Sequence, residues 1–511
     1  MNESIKLANE NELQEQTLIA NGNLRELTFS PQTKYLILPI EWQEIELESL
    51  FGFVIGGDWG KDCDFEHIDF VDAFCIRGSE FKHWDKYRGA SASLRKIKHS
   101  SLQTRQLRLD DILIEISGGG PDQPVGRTVI IDERVINQFV GKQLVCTNFL
   151  RLARPIVNVD STFLNYYLKC FYLSGEVIKY QAGSNNLRNL KFKEYSQIFI
   201  PLPPLAEQQQ IAAKLDELLA QVDNLKTRLD NIPKILKRFR QSVLAAAVSG
   251  KLTEDWRIEN LISEGDWRET KIGKLVKSIE AGKNLKCIET PPVGDQHGII
   301  KISAVTWGIY DENESKTLPD HKLFVESRRI KSGDFLISRA NTLELIGMPV
   351  IVKDVLKNLM LSDKVWRLVM NEADKMWLSI FLRSYFGRKE IESRSTGNQL
   401  SMRNIGQKTF LDINLPKPSI EEQTEIVARV EQLFTYADQI EQRVKDAQSR
   451  VNHLTQAILA KAFRGELTAE WRVQNPELIS GENSAEALLS RIKAEREMVV
   501  KPKKTGKKTK A

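Results

Sequence analysis

The chain has 511 residues, 41% hydrophobic and 28% charged, the size and balance of a soluble protein with more than one core. No apolar run approaches the ~20 residues that a membrane span needs, and the first 20 residues are too polar for a secretory signal. Five cysteines without CxxC spacing and six scattered histidines argue against a disulfide framework or a zinc site, and fit a reducing cytoplasm. The formal charge of +5 says little about partners. From Arg491 onward nine Lys/Arg face only Glu495 and Glu497, so the tail carries +7 and the remainder −2. Lys501, Lys503, Lys504, Lys507, Lys508 and Lys510 read either as phosphate contacts or as a solvated, disordered tail.

In chain order, residues 1–35 form a polar segment without a motif. Residues 36–200 read as a mixed α+β globule of short strands and glycine turns, with a helix over 162–173. In its middle, Leu109, Asp110 and Asp111 make a turn into the apolar strand Ile112, Leu113 and Ile114. A glycine-bearing loop from Gly118 to Arg127 follows. Residues 201–257 open on Pro201, Pro203 and Pro204, then place Ile211, Leu215, Leu218, Val222, Leu225 and Leu229 at 3–4 spacing. That pattern predicts a helix from Leu205 to Val248, about 65 Å long at 1.5 Å per residue, with a kink or break at Pro233.

Residues 258–415 form a second globule with echoes of the first: Trp267 answers Trp42, and Ser332, Gly333 and Asp334 lead into another apolar strand. A helix is expected over 376–386. Residues 416–472 return to the long-helix pattern, with Ile426, Val430, Leu433, Ile440 and Val444 on the seam. Residues 473–511 are a C-terminal segment ending in the basic tail.

Residues 201–257 in fact recur without a gap at 416–472, shifted by 215 positions. Identical pairs include Glu207/Glu422, Gln208/Gln423, Ile211/Ile426, Leu218/Leu433, Arg228/Arg443, Gly250/Gly465, Trp256/Trp471 and Arg257/Arg472. One long unit used twice describes a two-fold architecture, not a solenoid. A heptad seam sustained over more than four heptads makes a helix coil against another. The order globule, helix, globule, helix makes the pair antiparallel. The fold class expected is therefore α+β: two mixed globules separated by two long helices in an antiparallel coiled coil, with pseudo-two-fold symmetry. Duplex DNA has a matching dyad, and globules of unlike sequence would read unlike half-sites.

The motifs running from Pro201 to Ile211 and from Pro416 to Ile426, with the endings from Ser249 to Arg257 and from Arg464 to Arg472, resemble the specificity subunit of type I restriction–modification enzymes. The stretches 116–127 and 333–342 are similar to that family's target recognition domains. The resemblance covers about residues 39–472. It implies a protein that reads a bipartite target in double-stranded DNA, one globule per half-site, with the helices as a ruler for the unread spacer. It further implies two methyltransferase subunits using S-adenosylmethionine and two motor-nuclease subunits using ATP and Mg. Those cofactors belong to the partners, and none is expected in this chain.

No catalytic motif is found. The nearest string to the methyltransferase tetrapeptide, Thr290, Pro291, Pro292 and Val293, lacks both the amide and the aromatic, and Gly60-Lys61 lacks phosphate-loop spacing. The chain reads as non-catalytic. Base edges are read by Arg, Asn and Gln, and polar glycine loops allow close approach. Candidates are Gln123, Arg127, Ser184, Asn185, Asn186 and Arg188 in the first globule, and Arg339, Asn341, Asn398, Gln399 and Arg403 in the second. The same side chains could instead cap turns. Trp256 and Trp471 read as helix-end packing. A coiled-coil scaffold that gathers partner proteins without reading sequence stays open as the alternative.

Overall fold

In the computed structural model the described residues are 24–27, 36–120, 123–183, 187–262, 267–399 and 402–500. Residues 28–35 and 501–511, including the lysines of the tail, lie outside them, as does most of 1–35. Five helices carry the architecture: α1 (Ser161–Leu173), α2 (Leu205–Val248), α3 (Glu372–Arg383), α4 (Ile420–Phe463) and α5 (Ala485–Val500). Two compact units result, Met1–Thr227 with Ser449–Ala511, and Arg228–Gln448. Each unit joins one globule to half of α2 and half of α4.

In the first unit the core sheet runs Phe51–Gly56, Leu150–Pro155, Ile112–Glu115, Thr128–Ile130, all antiparallel. Ile112–Glu115 is buried along its whole length, as an inner strand covered on both faces must be. A second sheet sets Leu144–Cys146 parallel to Phe70–Ile76, which pairs antiparallel with Ser93–Lys98. A small third sheet runs Gln181–Ala182, Arg188–Leu190, Ser117–Gly118. Gln43–Glu46 pairs with Phe199–Leu202, so the globule's two ends meet where α2 begins. Phe163 and Tyr167 of α1 pack on Phe463 of α4, with ring centroids 5.5 and 5.1 Å apart. Leu488 and Ile492 of α5 join the same core.

The second unit repeats this connectivity with other residues. Its core sheet runs Val276–Ala281, Val365–Met370, Phe335–Ser338, Pro349–Ile351. Asn358–Met360 lies parallel to His297–Ile300, which pairs antiparallel with Ser315–Thr317. The small sheet runs Ala340–Asn341, Met402–Asn404, Thr396–Gln399, and Arg268–Lys271 pairs with Asn414–Lys417. Even the turn into the buried strand is shared. Asp110 (φ 68°) and Gly333 (φ 85°) both take the left-handed conformation, which glycine adopts freely and aspartate tolerates. The next residues, Asp111 and Asp334, accept the N–H of Arg108 and Lys331 at 2.7 and 2.8 Å and pair with Arg154 and Arg367.

The long helices pair antiparallel inside each unit. In the first, Ile211 and Leu215 share a core with Leu459 and Phe463. In the second, Asp230 meets Gln448 while Arg240 meets Asp438 and Glu441, and Val243 and Val248 pack with Ile426 and Val430. Gly250 and Gly465 (φ 78° and 75°) end the helices in left-handed caps.

Two expectations change. Of the kink or break expected at Pro233, the break does not occur, and α2 runs through it: one missing donor costs a helix about 3 kcal/mol, a local loss in a 44-residue helix held by its partner through Asp230. The helix expected over 376–386 stops at Arg383, because the Ser384 hydroxyl accepts the N–H of Gly387 at 3.2 Å and starts a new helix, Tyr385–Arg394.

Candidate nucleic-acid interface

The small third sheet of each globule gathers the loops in which the candidate readers lie. In the first unit Arg188 stands opposite Gly118, and Gly126-Arg127 ends the glycine loop. Arg127 is committed inward. Its guanidinium donates to Glu115 at 2.9 and 2.6 Å and to the Gly78 carbonyl at 2.9 Å. Burial alone would lower that guanidinium, but its bonds to Glu115 outweigh burial and hold it above its ordinary value. Glu115 is itself almost wholly buried, so Arg127 balances a charge the core cannot leave alone. Gln123 is exposed at the loop's edge, and its amide oxygen, in the orientation that satisfies its partners, accepts from Arg127 at 3.1 and 3.2 Å. Arg127 thus shapes the loop and Gln123 presents it. Ser184, Asn185 and Asn186 lie outside the described residues.

In the second unit Asn341 and Arg403 are paired across strands. The Asn341 amide donates to the Thr306 hydroxyl at 3.1 Å, and its oxygen accepts the Thr342 N–H at 2.8 Å. Arg403 donates to the carbonyls of Gly397 and Ser395, both at 2.6 Å, clamping its own hairpin. Arg339 keeps a buried Nε without a partner. Asn398 and Gln399 lie in the strand Thr396–Gln399, beside Arg403. Several side chains read from the sequence as base readers therefore hold the loops in shape, the alternative that turn chemistry always offered.

On the helix seam Ile211, Leu215, Val222, Ile426, Val430 and Val444 are buried, and Leu218, Leu229, Leu433 and Ile440 are half-buried, while Leu225 is 46% exposed.

Sequence reasoning missed the tightest feature of the frame. In the first unit Glu207, 0% exposed, accepts from Trp42 Nε1 (2.8 Å), Thr468 Oγ1 (2.6 Å) and Arg472 Nη1 (2.5 Å). In the second, Glu422 accepts from Trp267 Nε1 (2.7 Å), Thr253 Oγ1 (2.8 Å) and Arg257 Nη1 (2.6 Å). Each arginine also lies over its tryptophan, 5.8 and 6.0 Å from the ring centre. A carboxylate with three donors, one charged, is a satisfied buried ion. Each clamp ties the strand entering a globule, the start of one long helix and the segment after the other. The residue types were visible in the sequence: Glu207/Glu422, Thr253/Thr468 and Arg257/Arg472 are kept at the shift of 215, and Trp42 is answered by Trp267 ahead of the repeat. Trp256 and Trp471, by contrast, are only half-buried in the short helices Glu254–Glu259 and Ala469–Gln474.

Among the described residues no helix is long and apolar enough to cross a membrane, and no group of three or more His, Cys, Asp or Glu could hold a metal ion.

Comparison with known proteins agrees with this architecture. The family model for the type I restriction modification DNA specificity domain matches residues 87–234. The type I restriction enzyme EcoKI specificity subunit of Escherichia coli K12 is 38% identical over 400 residues, 77% of this chain and 82% of that protein. The StySPI specificity subunit of Salmonella potsdam is 36% identical over 416 residues, 80% and 85% of the two chains. In fold, the HsdS subunit from Thermoanaerobacter tengcongensis aligns with a TM-score of 0.52 at 17% identity, over 84% of this chain and 98% of that one. A chain from a study of assembly and conformational transition in the type I R-M system gives 0.58 at 16% identity, over 84% and 99%. With two globules of one topology, a doubled clamp and relatives matched over most of their length, the chain belongs to the specificity subunits of type I restriction enzymes.

Proposed function

We propose that this chain selects the DNA site at which a type I restriction–modification complex acts, each globule reading one half of a bipartite target in double-stranded DNA. The observation that carries the reading is the contrast inside the repeat: frame and clamp are kept in both copies, whereas the loops around Gln123 and Asn341 differ. A frame that is fixed and readers that vary are what two unlike half-sites require. The helices then set the length of the unread spacer. Two methyltransferase subunits, supplying S-adenosylmethionine chemistry, and two motor-nuclease subunits, supplying ATP and Mg, dock on this frame in the cytoplasm. The chain itself catalyses nothing.

The test is a globule exchange. Residues 36–200 are replaced by the corresponding globule of a relative with another target, and methylated sites are read by methylation-sensitive genome sequencing. One half-site should change while the other half and the spacer stay. Two unchanged half-sites would refute the reading.

A further inference from the structure

We propose that the second unit carries a binding groove for the sugar–phosphate backbone of duplex DNA, formed by α2 and the loop bearing Trp307, whose cations on α2 are not kept at the corresponding positions of the repeat's other copy. This rests on the DNA-reading function above and adds a site to it. The groove, about 200 Å³, is lined by Lys237, Arg240, Gln241, Trp307, Arg383 and Phe434, among others. Lys234 and Arg238 flank Lys237 on the same stretch of helix, and residues three and four apart on a helix have Cβ atoms about 5–6 Å apart.

The charge here is not balanced from within. Arg240 is neutralised by Asp438 and Glu441 at 2.6 and 2.9 Å. Lys234, Lys237, Arg238 and Arg383 have no carboxylate within ion-pair distance among the described residues. Arg383 lies over the Phe434 ring at 5.7 Å, and burial, together with the charge of Arg240, lowers its guanidinium below the ordinary value against the smaller opposing pull of Asp438. A partly desolvated arginine without an ion-pair partner, in a groove that Lys237 also lines, favours an incoming anion. Trp307 is 75% exposed and follows Thr306, the partner of Asn341, so the groove continues the candidate reading surface.

The repeat isolates the feature. At a shift of 215, Lys234, Lys237, Arg238 and Arg240 correspond to Ser449, Asn452, His453 and Thr455. Gln241 and Gln456 keep the same role, donating to the carbonyls of Arg383 and Leu173 at the ends of α3 and α1. The pose is common to both copies; the cations are not. A polyanion suits the unpaired Lys234 and Lys237 better than a protein, since lysine is depleted at protein interfaces, whereas DNA offers one phosphate charge per about 1.7 Å of axis.

The experiment uses the chain assembled with its methyltransferase partner, and measures affinity for a target and a scrambled duplex across a salt series. The variant Lys234→Gln/Lys237→Gln/Arg238→Gln, at exposed positions, should make the slope of log K against log salt shallower by about 3, one per lost phosphate contact. Both duplexes should respond alike, with methylated sites unchanged. Asn452→Gln/His453→Gln should leave the slope as it is, and Arg383→Gln should lower it by about 1 if the chain stays folded. An unchanged slope in the triple variant overturns the groove. So does an unchanged slope with loss of the methyltransferase subunit on gel filtration, which makes the face a protein-docking surface. A wild-type complex that cannot tell target from scrambled duplex refutes the function instead, and leaves the slope test of the groove standing.

Discussion

The two units differ less in what they contain than in how the chain supplies it. The second is one uninterrupted stretch, Arg228–Gln448, whereas the first is assembled from Met1–Thr227 and Ser449–Ala511. Its clamp joins Glu207 to Arg472 across 265 positions, against 165 between Arg257 and Glu422. Loop closure scarcely notices the difference, because doubling a loop costs only about 0.6 kcal/mol. Continuity matters elsewhere: the described residues after Gln448 belong to the first unit. Deleting 449–511 removes Phe463, Thr468, Arg472, Leu488 and Ile492 from its core and clamp, yet takes from the second only the helical hydrogen bonds onto the last turn of its half of α4. Two thermal transitions should become one, and the survivor should match a 228–448 fragment. A truncated chain that keeps both transitions would break the comparison.

The clamps sharpen it at single-residue scale. Arg472→Ala leaves Glu207 buried with its charge unbalanced, which costs about 3–5 kcal/mol. Arg257→Ala should cost the second unit a similar amount through Glu422. Urea titrations with a probe in each unit should show each substitution acting on its own unit, and a shared loss would mean that the units unfold as one.

How much of this was legible in the sequence follows from the kind of interaction. Helix ends were readable to the residue at Leu205 and Val248, because prolines and left-handed glycines act locally. The doubled topology was legible from the shift of 215. The role of Arg127 was not, because a glycine loop ending in arginine looks the same whether the guanidinium faces DNA or a buried Glu115 twelve residues away. Nor was the clamp, whose partners are brought together only by the fold. The break inside 376–386 was missed for a related reason: a serine in an apolar run, Ser384, gives no sign, without its φ and ψ, that it caps a new helix.

A smaller effect compares the two long helices. Pro233 of α2 corresponds to Gln448 of α4, and Gln448 donates to Asp230 at 2.8 Å. Pro233→Ala restores a backbone donor within an exposed turn and should raise the melting temperature of the second unit, by an amount equivalent to at most about 3 kcal/mol. No gain would mean that the local helix geometry already accommodates the ring.

Acid should separate the units most gently, through carboxyls shifted in opposite directions. In the second unit the hydrogen bond from Arg240 holds the Glu441 carboxyl below its ordinary value. A depressed folded pKa means that this stabilisation is present above pH about 4.5 and is lost as pH falls through the folded value. The first unit has Lys226 at the position of Glu441 and Thr455 at that of Arg240, so it lacks the pair. Its buried Glu207 is instead pushed up, chiefly by burial, against the pull of Arg472. A raised folded pKa means that ionisation opposes folding as pH rises through it, and the penalty fades on acidification. Urea midpoints followed from pH 6 to 3 should therefore fall more steeply for the second unit. Arg240→Gln should flatten that fall without moving the first unit, because the pair it breaks lies wholly within Arg228–Gln448.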